Sequence, residues 1–319
     1  MIRNLPLVFH IGYHKTATTY LQKLIFPVHP SIIYPGRSWK TKTISEYFVE
    51  NQFTHPMDFN ADLMREKFYA ALEEYVSKEQ IDLEGKKAIV VSHESLHSGP
   101  DYFGTDFIMM ADRLKAVFPN AKIIIGIRNQ LDYVESNYKT YVMHGGKLNF
   151  RYFIQRSFAF NYGLKPKLFF DKAITVYLER FGKDRVCIYL LEDFKKNLGG
   201  ELDRLFDFTG VGGLPGYKKD SVNVSLNKYS IFILRNLNRL LAKDFNEQYF
   251  NWQNHRLSAA EKFRWLVIRV MNKLEKSRIR IPKNIYDVQT KKMISGLFSG
   301  SNRRLEQMLN RNLKEEGYL

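Results

Sequence analysis

PLVFHIGYHKTATTYLQ, residues 6–22, passes from an apolar stretch through a Gly into a cluster of His, Lys and Thr, and then into a helical pattern. PLVFHIG lacks polar alternation and reads as a strand buried on both faces, as in a parallel sheet. Thr18 to Phe26 reads as the helix that follows. A loop that leaves a strand and opens a helix turns backbone N–H groups and the positive end of a helix dipole toward an anion. Lys15 adds a point charge, and Thr16, Thr18 and Thr19 add hydroxyl donors.

The same grammar recurs along the chain. KKAIVVSH (86–93), AKIIIGIR (121–128) and DRVCIYLL (184–191) are further apolar runs, followed by helical patterns at Asp106 to Phe118, Leu131 to Met143 and Leu202 to Phe208. This alternation predicts a P-loop-like, three-layer α/β/α fold with a central parallel sheet and ligand sites at the carboxyl ends of its strands. After about residue 215 the strand pattern stops. Ser225 to Ala242, Ser258 to Lys276 and Ser301 to Lys314 read as helices. In the second, Phe263, Leu266, Val267, Val270, Met271 and Leu274 recur at helical spacing while Arg264, Arg269 and Lys273 lie elsewhere. The chain thus divides into an α/β core, 1–215, and a basic helical extension packed on it, 216–319, acting as one functional domain.

The net charge is +16, from 49 Lys+Arg against 33 Asp+Glu, and residues 216–319 hold 21 of the basic and 9 of the acidic residues, which is +12. Such a surface attracts polyanions without choosing among them. No apolar run is long enough for a membrane span, and MIRNLPLVFHIG lacks the features of a signal peptide, so the expected compartment is the cytoplasm, with membrane association open to the basic helices. Cys187, the only cysteine, sits in an apolar run and reads as a small buried hydrophobe.

A nucleotide-binding P-loop would show GxxxxGK[ST], and GYHKTATT (12–19) fails that test because its Lys comes three residues after Gly12. The other strand ends read SHES, IRNQ and LLED. Apart from the single Glu94 of SHES, only LLED is acidic, and its carboxylates follow the last strand, so a magnesium-binding partner is not expected, nor is any other metal. In KIIIGIRNQLDYVESNYKTYV, Arg128 ends a strand and Ser136 lies one to two turns into the next helix, where a Ser can face back so that both grip a phosphate.

At this point the chain resembles the sulfotransferases that use 3′-phosphoadenosine 5′-phosphosulfate (PAPS). HIGYHKTATTYLQ is similar to their 5′-phosphosulfate loop in its bacterial and glycan-directed form, and Arg128 with Ser136 to their 3′-phosphate site. The resemblance implies PAPS as co-substrate and its desulfated product PAP, held by His14, Lys15, Thr16, Ala17, Thr18, Thr19, Arg128 and Ser136. Ala17 replaces a usual Gly, which is acceptable where a helix begins at negative φ. IYLLEDF (188–194) resembles the family's later strand, with Leu191 where some cytosolic members have an adenine-contacting Tyr. KKDSVNVSLNKYS (218–230) is similar to a late loop in which Asn223 and Ser225 would close over the nucleotide; N-x-S before a helix is also a plain cap. FSGSNRRLEQML resembles the C-terminal helix.

Sulfuryl transfer to a hydroxyl needs a group at the leaving oxygen, the role of Lys15, and a base. The strand ending VVSHESLHS offers His93 and Glu94. Adjacent residues of extended backbone point opposite ways, so one serves, and His93 is favoured because its ordinary pKa of ~6.5 suits proton transfer. His14 and His97 are weaker candidates, and His10 reads as core. Tyr141, His144, Gly145, Gly146 and the aromatic stretch from Phe150 to Phe160 read as an acceptor cleft, although a core would have the same composition. The expected function is sulfation of a hydroxyl on a glycan or glycolipid. The alternatives are a P-loop kinase or NTPase and a basic module for membranes or nucleic acid; no nucleic-acid motif is present.

Overall fold

The computed structural model describes residues 2–36, 54–93, 96, 107–159, 164–217, 228–241, 259–275 and 285–318. Five strands form one parallel sheet: β1 (Leu7–His10), β2 (Ile32–Ile33), β3 (Ala88–Ser92), β4 (Lys122–Ile127) and β5 (Val186–Leu190). Their order is β2-β3-β1-β4-β5. In the central strand, Phe9 lies opposite Val91 on one side and Ile123 on the other. All four residues of β1 and all five of β3 are buried, which is why these strands read as unbroken apolar runs. β2 escapes that pattern because two residues display no period; it is defined by pairing with Ala88 and Ile89.

Alternation along the strands builds the layers. Val8, Val90, Ile124 and Tyr189 pack on one face with Leu21, Ile25, Leu202, Leu205 and Phe206. On the opposite face Phe9 meets Phe68 of helix Ala61–Lys78, with ring centroids 6.5 Å apart, and Phe118 at 5.2 Å. Helices Phe107–Val117 and Phe170–Phe181 complete that layer. The result is the expected three-layer α/β/α arrangement. The helix expected over 18–26 is an α-turn at Thr18–Tyr20, a π-turn over Leu21–Ile25 and a 3₁₀ turn at Phe26–Val28.

The chain forms two compact units, one of Met1–Arg128, Tyr162–Val222 and Gly300–Glu316, the other of Asn129–Asn161, Asn223–Ser299 and Gly317–Leu319. The first holds the sheet. Within it Asp171 pairs with Arg304 at 2.6 Å and accepts from Ser301, while Arg311 donates to Asp193 at 2.6 and 3.0 Å. These ties anchor residues 300–316 beside the α/β elements.

In the second unit, helix Gln130–Met143 packs with Lys228–Leu241, which packs with Ala259–Glu275. Asn238, fully buried, donates to the carbonyls of Val142 and Gly146 at 2.8 and 2.9 Å and accepts from Arg264 Nε at 3.0 Å. Those bonds rotate the Ala259–Glu275 helix away from the simple amphipathic reading, although Met271 stays inward as that reading has it. Arg264, Ile268 and Met271 face inward, and Phe263, Leu266 and Val270 are exposed at 49, 55 and 50%. The last helix also differs from expectation, running Val288–Leu309 rather than 301–314. Its glycines and serines argue weakly against helix, and burial of Ile294, Phe298 and Leu305 outweighs them. Among the described residues no helix is long and apolar enough to cross a membrane.

Candidate active site

After β1 the chain returns to the sheet on the β3 side, and after β4 on the β5 side. The direction therefore switches between β1 and β4, and crevices open beyond the carboxyl ends of strands at such points. Residues 11–17 follow β1 and Arg128 follows β4. The backbone stays zipped to β4 at first, since Ile11 N–H donates to Ile124 and Tyr13 N–H to Gly126, each at 3.0 Å. Gly12 is required here because a Cβ would lie 2.7 Å from the Gly126 nitrogen.

The loop then turns sharply, with Lys15 at φ 64° and Ala17 at φ 67° and ψ 10°. Ala17 is thus left-handed, against the negative φ expected from sequence. For a residue with a Cβ this conformation is unfavourable by about 1–2 kcal/mol, and Gly would escape the penalty. The turn lets Ala17 O accept from Tyr20 and Leu21 N–H at 2.9 and 3.1 Å, starting the helix.

Three preceding carbonyls are engaged, one from within the loop and two from elsewhere in the first unit. Tyr13 O accepts from Thr16 Oγ1 at 2.5 Å, Lys15 O from Arg128 Nη1 at 3.3 Å, and Thr16 O from the Tyr189 hydroxyl at 2.8 Å. Among the described residues no acceptor meets the N–H groups of Thr16 and Ala17. Lys15 is exposed beside them. A cradle with its carbonyls bound, N–H groups available and a cation at the lip suits an anion. Thr16 is fully buried and its hydroxyl is directed to Tyr13, so what it offers an anion is its N–H. Thr18 is buried; His14 and Thr19 are half-buried.

His93 follows β3, half-buried, its N–H donating to His10 O at 3.1 Å. It stands at the carboxyl end of the strand adjacent to β1. Burial pushes the Tyr13 phenol well above its ordinary pKa, with Tyr177 and Asp171 adding to the shift, so Tyr13 is neutral and no competitor for a base role. Ser136 lies half-buried in helix Gln130–Met143 of the second unit, where its carbonyl accepts from Thr140 Oγ1 at 3.1 Å. Glu94, His97, Asn223 and Ser225 lie outside the described residues. Among the described residues no cluster of His, Cys, Asp or Glu is gathered as for a metal ion.

Of the expected acceptor cleft, Tyr141, Phe150 and Phe153 are buried, while His144 is half-buried and Tyr152 is exposed. Tyr138, Tyr141, Phe150 and Phe153 pack as one ring cluster with centroids 5.1–6.2 Å apart. The Tyr141 hydroxyl accepts from the N–H groups of Lys147 and Leu148 at 3.1 Å and so closes the turn that follows its helix.

The family model described as "Sulfotransferase family" matches residues 6–214, which include every strand of the sheet and the loop 11–17. The chain belongs to the sulfotransferase family. It is therefore an enzyme of the sulfotransferase class. A crystal structure of a sulfotransferase from Alicyclobacillus acidocaldarius is 16% identical, covers 98% of each chain and superposes with a TM-score of 0.55. Mouse sulfotransferase SULT7A1, complexed with PAP, is 17% identical over 95% of this chain and 86% of its own, with a TM-score of 0.41. No curated protein matches the sequence. What the motifs of this sulfotransferase did not reveal is Tyr189, which reaches the loop from β5. The signal for it was Gly126, a Gly inside a strand, which marks a close approach by another group.

Proposed function

We propose that this sulfotransferase transfers the sulfuryl group of PAPS to a hydroxyl of a glycan or glycolipid. The observation that carries the reading is the loop 11–17, whose engaged carbonyls leave the Thr16 and Ala17 N–H groups for an anion, with the exposed Lys15 beside them and Arg128 donating to the Lys15 carbonyl. In the proposed assignment Lys15 stabilises charge on the 5′-phosphate oxygen as it leaves sulfur. Arg128 and Ser136 bind the 3′-phosphate, and Asn223 and Ser225 close over the nucleotide. His93, or Glu94 beside it, takes the acceptor's proton. The acceptor oxygen forms its bond to sulfur as the bond from sulfur to the phosphate oxygen breaks, giving a sulfate ester and PAP. The core 1–215 carries most of the PAPS-binding residues, and 216–319 adds a basic helical extension to the same functional domain.

Two features support an acceptor at an anionic membrane. Phe263, Leu266 and Val270 on one helix, and Tyr229, Phe232, Ile233 and Leu240 on another, are exposed. Exposed Lys228, Arg239, Lys262 and Arg269 share those helices, a composition suited to an interface with anionic lipid.

The test is incubation with PAPS and with glycan and lipid extracts, followed by mass spectrometry for products that gain one SO₃ group. Sulfated glycan or glycolipid supports the reading; sulfation confined to another acceptor class overturns the acceptor assignment. Flotation with phosphatidylglycerol-containing vesicles, against phosphatidylcholine alone, tests the membrane contact, and equal absence from both rejects it.

A further inference from the structure

Behind the loop lies a buried polar chain that the proposed chemistry does not use. Gln22 Nε2 donates to Ser92 Oγ at 2.9 Å, and Ser92 Oγ lies 2.7 Å from His10 Nδ1. His10 Nε2 lies 2.9 Å from the Tyr189 hydroxyl, which lies 2.8 Å from Thr16 O. All five residues are at most 3% exposed. The chain crosses the sheet, from Ser92 on β3 through His10 on β1 to Tyr189 on β5, which spans β4 where Gly126 leaves room for its ring. A Cβ at Gly126 would lie 2.3 Å from that ring.

The direction of every proton follows from the last acceptor. A carbonyl oxygen only accepts, so Tyr189 gives its single proton to Thr16 and its oxygen accepts from His10 Nε2–H. In the neutral imidazole, Nδ1 then accepts from Ser92 Oγ–H, while Ser92 accepts from Gln22. The chain ends on a peptide group whose other end matters. In a trans peptide the C=O and the next N–H point opposite ways. With its Thr16 carbonyl drawn toward Tyr189, this peptide directs the Ala17 N–H away from the core.

We propose that Tyr189, with His10 and Ser92 behind it, is a positioning device that orients the Thr16–Ala17 peptide so that its N–H faces the 5′-group of the nucleotide. The inference rests on the reading of loop 11–17 as the 5′-phosphosulfate site. It also accounts for the left-handed Ala17, since the hydrogen bond from Tyr189 holds the loop in a turn that an Ala resists. The His10 tautomer sets the sense of the chain. A proton moved to Nδ1 would make Nε2 an acceptor, draw the Tyr189 hydroxyl proton to it and release Thr16.

The test compares 5′-AMP, 3′-AMP and PAP binding by calorimetry. Tyr189→Phe keeps the ring and deletes the hydroxyl. It should weaken 5′-AMP and PAP about tenfold, the size of one hydrogen bond to a charged group, and leave 3′-AMP within about twofold. A general loss of structure would weaken all three alike, and that result, or no loss, overturns the proposal. Should Tyr189→Phe fail to fold, Ser92→Ala frees the His10 tautomer and should give the same selectivity at about threefold; an unchanged ratio of 5′-AMP to 3′-AMP affinity rejects the device. Wild-type protein that binds none of the three nucleotides would instead remove the nucleotide reading beneath it.

Discussion

Arg128 Nη1 donates to the Lys15 carbonyl at 3.3 Å, so the guanidinium assigned to one phosphate touches the loop assigned to the other. Removing Arg128 should therefore have an asymmetric effect. Arg128→Ala should lower PAP affinity by about 1.5–3 kcal/mol, the range for a hydrogen bond to a charged group. It should lower 5′-AMP affinity by well under half of that, through the loop alone. Calorimetry on both ligands decides it, and equal losses would remove Arg128 from the 3′-phosphate.

His93→Ala should lower turnover by about 10²–10⁴, the usual contribution of a positioned acid or base. PAP affinity should stay within about twofold. Unimpaired turnover in this variant would transfer the role to Glu94, whose own substitution is the matching control.

Ala17→Gly gives a prediction whose sign matters more than its size. In an ordinary first helical turn the change would destabilise by about 1 kcal/mol. At φ 67° it relieves a comparable strain, and stability should hold or rise by up to about 1 kcal/mol. Urea unfolding measures it. A clear loss of stability would contradict the left-handed turn.

His29 supplies a pH dependence. Burial lowers its pKa, with Lys86 acting the same way and the bond from Nε2 to Gly212 O, 3.1 Å, opposing them. The unfolded chain, at about 6.5, takes up a proton first as pH falls. Stability should therefore decline from about pH 6.5 downward until the native His29 also protonates. Urea midpoints between pH 8 and 5 should fall in wild type and flatten in His29→Gln; parallel slopes would assign the decline to other groups.

Four strands and the strand-to-helix loop 11–17 were legible in the sequence because each depends on local composition: apolar runs, then Gly, Lys and Thr. The rest depends on partners far along the chain. Ala17 took its conformation in a loop bound by Tyr189, a residue of the last strand. The Ala259–Glu275 helix showed its period in sequence, but which face met the interior was settled by Arg264 and Asn238, a pair no periodicity records. β2 was too short to leave a pattern, and the aromatic residues after Ser136 could as well line a cleft as fill a core.

The space above Gly126 has a consequence for how this sequence can drift. Any side chain there meets the Tyr189 ring, and a smaller residue at 189 would leave a hole and release the loop. The two positions are thus one unit of inheritance: among relatives, a larger residue at 126 should accompany loss of Tyr at 189, and a lineage that has lost both should carry some other donor to the Thr16 carbonyl.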